Sequence, residues 1–406
     1  MADTSDAKDM SLPLAGVRVL DVSQVMAGPF CSMLLGDMGA DVIKIEPPDG
    51  GDQTRRAMGF KLKGNDSLGF FNLNRNKRSL TLNLKGKEAR AVFYRLVKTA
   101  DILIENYRPG VTKRLGIDYE TLKTINPRLV YASISGFGQT GPWSQRPGFD
   151  LIAQAMAGVM SITGHEGGPP TKSGVPVSDI GCALFALYGI LSAYIGCQKT
   201  GRGQYVDASL FEAAIAFAIW DISEFWGTGR VPTPLGTANR FGAPYQAVKA
   251  KDAYFVMGAN NNKLFQGFCE AIGRPELVKD PRFAANAARL SNRLALIAEI
   301  EKSLASKTAA EWIDILLAAG IPAGPIMNYA ETLSSDHAKA REAVMEFDHP
   351  IEGRVKSIGF PVKLSETKQR VRLPPPLLGQ HTDEILEELG IDEAGRKKLY
   401  DEGATN

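Results

Sequence analysis

An aspartate at the mouth of a long apolar segment stands where a carboxylate could cap a helix or act as a nucleophile. Asp179 stands in SGVPVSDIGCALFALYGILSA, directly ahead of Ile180–Cys197, a stretch without a charged side chain. A helix apolar on every side carries its N-terminus into the core with its body. Free amides and the helix dipole there would hold a carboxylate ionised despite partial desolvation, which suits nucleophilic attack. Ser178 and Asp179 are also both N-cap residue types, so position alone leaves capping and catalysis open. Two basic clusters offer complementary charge: Arg75, Asn76, Lys77 and Arg78, then Arg108, Lys113 and Arg114 around Asn106. Either alone reads as a solvated face. Both border predicted strands, however, and strand ends in an open parallel sheet converge on one crevice, where together they would line a pocket for a phosphorylated cofactor.

Other chemistries find little support. His165, His337, His349 and His381 lack a second ligand at metal-binding spacing, so no metal site is expected. No G-x-S-x-G elbow is present. The first turn, SQVMAGPF, holds one glycine where a dinucleotide fingerprint needs three, which argues against a nicotinamide oxidoreductase although Glu46 closes the next strand. Ala27–Pro29 still deliver the chain to a helix N-terminus where a ligand could sit. Asp150 and Glu212, beside apolar helices, read as structural. A net charge of +2 across 406 residues favours neither nucleic acid nor a charged membrane surface. The four cysteines lie far apart, as in proteins of a reducing, cytoplasmic setting. The N-terminal MADTSDAKDMSLPL resembles no targeting signal and reads as a frayed tail. Ile180–Cys197 is near the length of a short membrane span. Gly181, Gly189, Ser192 and Gly196 interrupt it, and we read it as a buried core helix that needs cover on all sides.

These residues need a scaffold, and the first half of the chain supplies one by alternating short apolar runs with helical patterns, the signature of an α/β fold with a Rossmann-like parallel sheet. Strands are expected at Val17–Val22, Asp41–Glu46, Ser79–Leu84, Asp101–Glu105 and Leu129–Ser135, with helices at Phe30–Met38 and Lys87–Thr99. Helices then follow at Leu151–Met160, Ile180–Cys197 and around Leu210–Trp226. A Gly/Pro/Thr-rich linker leads to a small α+β domain, with a hairpin of Tyr245–Val248 and Tyr254–Met257 and helices at Lys263–Ile272, Leu290–Ser306 and Ala309–Ala318. The expected division is a large domain over 1–226, a small one over 227–329 and a return segment over 330–406, read as loops ending in helices at Thr382–Leu389 and Asp392–Tyr400.

In LAGVRVLDVSQVMAGPFCSMLLGDMGADVIKIE, NRNKRSLTLNLK, ADILIENYRPGVTKRLGI, GFDLIAQAMAG, SDIGCALFALYGILSA, TGRGQYVDASLFEA and LGQHTDEIL, the chain resembles the class III coenzyme A-transferase family, which includes formyl-CoA transferase, carnitine CoA-transferase and the α-methylacyl-CoA racemases. The resemblance implies a large domain built from both ends of the chain, a small domain between, and an interlocked homodimer. It implies acyl-CoA and a small carboxylic acid as substrates, with Asp179 as the nucleophilic aspartate. Coenzyme A would be met by Val25, Met26 and Ala27 at the first turn, by Arg75, Asn76 and Lys77, and by Asn106, Arg108 and Arg114. Oxyanion donors would be backbone amides of Gly258–Asn262 or Val25–Ala27. A racemase is the alternative, and a nonenzymatic acyl-CoA-binding subunit another. In racemases of the family a histidine stands where this chain has Phe149, and a small-domain glutamate where it offers Asn261; lacking both, the sequence points to transfer. Met26 replaces the glutamine of the formyl-CoA branch, and Gly258–Lys263 its run of glycines, which points away from formate and oxalate toward succinyl-CoA with a dicarboxylate acceptor.

Overall fold

The computed structural model describes residues 12–57, 59–64 and 66–406, so most of the polar N-terminal stretch lies outside the described residues. The chain divides into two compact units: residues 1–159, 173–223 and 337–406 form the large one, and 160–172 with 224–336 the small one. The excursion at 160–172 is absent from the sequence reading.

The large unit is a six-stranded parallel sheet of β1 (Arg18–Asp21), β2 (Asp41–Glu46), β3 (Lys77–Thr81), β4 (Ile102–Glu105), β5 (Val130–Ser135) and β6 (Tyr205–Ser209) in the order 3-2-1-4-5-6. Helices cover both faces. On one lie α1 (Ala27–Asp37), α3 (Asp150–Met156), α4 (Val177–Thr200) and α5 (Leu210–Phe217); on the other, α2 (Lys87–Val97) packs with the C-terminal helices. Residues such as Val19, Ile104 and Ile134 point to the first face and Leu20, Leu103 and Tyr131 to the second, so the strands are apolar on both sides. Each such buried aliphatic side chain contributes about 1.5–3 kcal/mol.

Several elements depart from expectation. β6 was not foreseen, because only Ser209 of this edge strand is buried and its period-2 signal is weak. The helix expected around Leu210–Trp226 breaks at Ala218 into α5 and α6 (Ile219–Thr228). Within 330–406, Val344–His349 and Gly353–Ile358 form an antiparallel hairpin rather than loops. Among the described residues, α4 is covered on one face only, not on all sides as expected. Cys182, Ala183, Ala186, Ile190 and Ala193 are buried, whereas Tyr188 and Ile195 are 63% and 56% exposed.

The small unit holds β7 (Tyr245–Lys249) and β8 (Tyr254–Gly258) as an antiparallel hairpin, joined by the unforeseen β9 (Ala323–Pro325). Helices over Asn262–Ala271, Arg293–Leu304 and Ala309–Ala318 enclose a core of Phe255, Phe265, Phe268, Leu296 and Trp312.

Candidate active site

In right-handed β–α–β crossovers each helix runs back against the strands, so it begins at their carboxyl edge. α1 leaves β1 on one face of the sheet, while the chain after β4 turns to the other face, and this makes β1/β4 the switch point at which open α/β sheets hold ligands. α4, the crossover between β5 and β6, packs beside α1 and also begins at that edge. Topology therefore brings Val25, Met26, Ala27, Asn106 and Asp179 to one edge of one sheet.

Asp179 sits in the first turn of α4 and is partly buried. It does not cap the helix. Pro176 is the N-cap residue and has no capping side chain; the amide of Ser178 is taken instead by Asp150 Oδ1 at 2.9 Å. Gln154 Nε2 donates to the other Asp150 oxygen at 2.7 Å, and Gln154 Oε1 accepts from the Ser173 amide at 2.9 Å. Two positions ahead of Asp150 the chain passes close to its own backbone: a Cβ at Gly148 would come within 2.6 Å of Gly136 Cα, so only glycine fits there. Among the described residues, none donates a hydrogen bond to the Asp179 carboxylate. Burial first, and then the negative charge of Asp150, push its pKa up to about 7. That corrects the expectation of a carboxylate held ionised. At neutral pH Asp179 is divided between its two forms, and its anion is poorly solvated and reactive.

The turn from β1 to α1 is clamped from several sides. Asn106 binds the backbone of Gln24 twice, accepting its N–H at 2.8 Å and donating to its carbonyl at 2.6 Å. Lys44 donates to the Ser23 carbonyl at 3.0 Å, and the Val25 amide donates to Asp52 at 3.2 Å. Between them Val25 is held at φ 69°, a strained conformation for a β-branched residue. The amides of Met26 and Ala27 have no partner among the described residues.

The two basic clusters have different fates. Arg108, Lys113 and Arg114 are exposed just beyond β4 and form no ion pair among the described residues. Arg75, Asn76 and Lys77 are buried, and their polar atoms are committed inside the fold. Arg75 grips Asp37 through Nε and Nη2 at 3.0 and 2.6 Å and reaches Ser357 and the Ile358 carbonyl. Asn76 donates to Asp37 at 2.8 Å and accepts from Arg372 and Leu373. Lys77 Nζ spends its three protons on Asp21, Pro29 and Asn74 at 2.8–3.0 Å. Their geometry is that of buried matched charge rather than of the anion pocket expected of them.

In the small unit, the amides of Gly258 and Ala259 donate to the carbonyls of Pro322 and Pro244, so these two are not free to hold an oxyanion. Asn261 caps the helix that follows through the Leu264 amide, and in the large unit Phe149 is 68% exposed ahead of α3. Glu212 exchanges hydrogen bonds with Ser209 at the start of α5, in keeping with its structural reading. Asp150, by accepting the Ser178 amide and the Gln154 side chain, likewise keeps to its structural reading, although the partner it serves could not be read from the sequence.

Residues 14–382 match the model of CoA-transferase family III. The chain is 42% identical over 366 residues to acetyl-CoA:oxalate CoA-transferase of Acetobacter aceti, covering 90% of this chain and 92% of that one. It is 39% identical over 400 residues to succinyl-CoA:glutarate CoA-transferase of Mus musculus, covering 98% and 91%. A CAIB/BAIF family protein from Brucella suis has the same fold, with a TM-score of 0.82, 36% identity and coverage of 93% and 99%. With a match across this length, the chain belongs to the class III CoA-transferases, enzymes that use CoA thioesters as substrates.

Proposed function

We propose that this enzyme moves coenzyme A from succinyl-CoA to a dicarboxylic acid, with Asp179 as the covalent carrier. The observation that supports this most is the Asp179 carboxylate itself, partly buried, without a hydrogen-bond donor among the described residues and raised to a pKa of about 7 at the carboxyl edge of the sheet. Its anion attacks the thioester carbonyl; the C–S bond breaks, coenzyme A leaves as thiolate, and a mixed aspartyl anhydride remains. The thiolate attacks the aspartyl carbonyl, releasing the donor as its carboxylate and leaving an aspartyl-CoA thioester. The acceptor carboxylate then repeats these steps in reverse. Each step exchanges one activated acyl bond for another, so no ATP is consumed, and the site's task is to keep water from the anhydride. The free amides of Met26 and Ala27 are the donors we assign to the developing oxyanion. Val25 and Asn106 shape that turn, and Arg108 and Arg114 hold the phosphates of coenzyme A.

A second reading of the substrates, acetyl-CoA with oxalate, is favoured by the identity to the Acetobacter aceti enzyme. The two are separated by incubating the protein with each CoA ester, a panel of carboxylates and hydroxylamine, then recording new CoA esters and the mass of the Asp179 peptide. Glutaryl-CoA from succinyl-CoA supports the first reading and oxalyl-CoA from acetyl-CoA the second. An unlabelled peptide with no new ester removes both, and solvent deuterium entering the α-carbon would point to racemisation.

Two expected results follow. Arg108→Ala together with Arg114→Ala raises KM for acyl-CoA about tenfold or more with little change in kcat, and more so at low salt, since exposed charges on phosphate act through screened attraction; initial rates at two ionic strengths check this. The acid limb of kcat/KM, measured in the free enzyme, rises with pH to a plateau above about 7, because only the Asp179 anion attacks.

We also assign the uncovered apolar face of α4, α5 and α6 to a second copy of the chain, in the interlocked homodimer that the family resemblance implies. Phe217, Ile219 and Trp220 are 52%, 61% and 68% exposed there, with Tyr188 and Ile195 on α4. Light scattering at micromolar concentration should return twice the chain mass. The buried free cysteines suit a reducing, cytoplasmic compartment.

A further inference from the structure

Asp150 of α3 accepts a hydrogen bond from the first turn of the helix that carries Asp179. The helix that presents Asp179 begins at Pro176, which has no side chain to offer its first turn. The orphan amide next to Asp179, that of Ser178, is taken by a carboxylate from 28 positions upstream on another helix. That carboxylate is held in turn by the fully buried Gln154, whose carbonyl secures Ser173 on the approach to α4. A neutral amide side chain could accept the Ser178 amide but not the Gln154 Nε2–H as well. An acid there sets two negative charges near each other, and no cation among the described residues acts on Asp179.

The geometry points to Asp150 as a positioning residue for the transfer, one that fixes the first turn of α4 through the Ser178 amide and sets a negative charge against the Asp179 carboxylate which is relieved when Asp179 becomes acylated. This rests on the reading of Asp179 as nucleophile. Acylation makes Asp179 neutral, so repulsion present in the free anion vanishes in the anhydride and in the aspartyl-CoA thioester. Interaction that burdens the ground state and not the product of attack lowers the barrier. The other elements packed on α4 bring Cys31 of α1, Asp207 of β6 and Glu212 of α5 toward this end. Asp150 of α3 is the charge that acts on Asp179 itself, in the same direction as burial.

Asp150→Asn removes the charge while its side-chain oxygen can still accept the Ser178 amide, at the cost of the hydrogen bond from Gln154 Nε2, and the shift of the acid limb reads the charge alone. We expect the acid limb of kcat/KM in this variant to move down by about one pH unit and the plateau to fall about tenfold. Asp150→Ala removes the acceptor as well and should cost about a further tenfold, with poor trapping of Asp179 by hydroxylamine. Thermal melting of both variants shows whether they remain folded. An unmoved acid limb and an unchanged plateau in folded Asp150→Asn would overturn the proposal, as would equal losses in the two variants with no shift of the limb, the mark of a structural role alone. Asp179→Ala is run beside them: if it turns over, the nucleophile reading fails instead, whatever Asp150 does.

Discussion

Asp179→Asn should lose about four orders of magnitude or more in turnover while making the folded protein more stable at neutral pH. The catalytic half follows from covalent chemistry, since without the carboxylate neither anhydride nor aspartyl thioester can form, and what remains is binding alone. The stability half follows from linkage. The carboxyl binds its proton with a pKa near 3.8 when unfolded and about 7 when folded, so the folded state holds the proton more tightly. Below the unfolded value both states are protonated and the site costs nothing. As pH rises between the two values the cost of burying the group grows, and above the folded value it is fully present, about 2–4 kcal/mol. Asparagine never ionises and escapes that cost. Melting temperatures of the two proteins should therefore lie closest near pH 4, diverge toward pH 7 and run parallel beyond, with the variant higher. A wild-type protein more stable than the variant throughout would mean that the carboxylate is held by partners and is not exposed for attack. Full turnover by the variant would remove Asp179 from the chemistry altogether.

The parts of this site that were legible in the sequence are those that depend on local pattern. β2 falls on Asp41–Glu46 as expected, and Ala309–Ala318 is likewise a helix over the expected span, because both are bounded by clear signals on either side. Asp179 could be placed at the head of α4 because eighteen residues without charge follow it. What occupies its amides could not, since Asp150 lies 28 positions away and nothing near Ser178 announces it. The protonation of Asp179 differs from expectation because burial outweighs the dipole of its own helix, and the neighbouring acid from α3, which nothing near Asp179 announces, adds to burial. Arg75 and Lys77 show the limit in its sharpest form. A basic run at the start of a strand looks solvated or ligand-binding until its counter-charges are known. Here they are Asp37 and Asp21, separated from their partners by 38 and 56 positions. β6 and the hairpin over Val344–Ile358 escaped because strands with exposed faces lack the apolar run that marks their buried neighbours.

The buried pair of Arg75 and Asp37 gives the second large effect, and it decides between two roles for the basic cluster. Both side chains are almost wholly buried, two hydrogen bonds join them, and Asn76 adds a third to the same carboxylate. Removing one partner strands the other as an uncompensated charge in the interior, so Asp37→Ala should cost about 3–5 kcal/mol. Arg75→Met should cost a similar amount by stranding the carboxylate. Changing both together should cost less than the sum of the two, because neither charge is left alone. Denaturant unfolding of the four proteins measures the cycle, and calorimetric titration with coenzyme A on the folded proteins supplies the second readout. If the pair is internal, affinity for coenzyme A hardly changes while stability falls. A variant at Arg75 that keeps its stability and loses affinity about tenfold would restore this arginine to the coenzyme A site. In that event Arg108 and Arg114, which lie exposed beyond β4, would share with it the task of holding the phosphates.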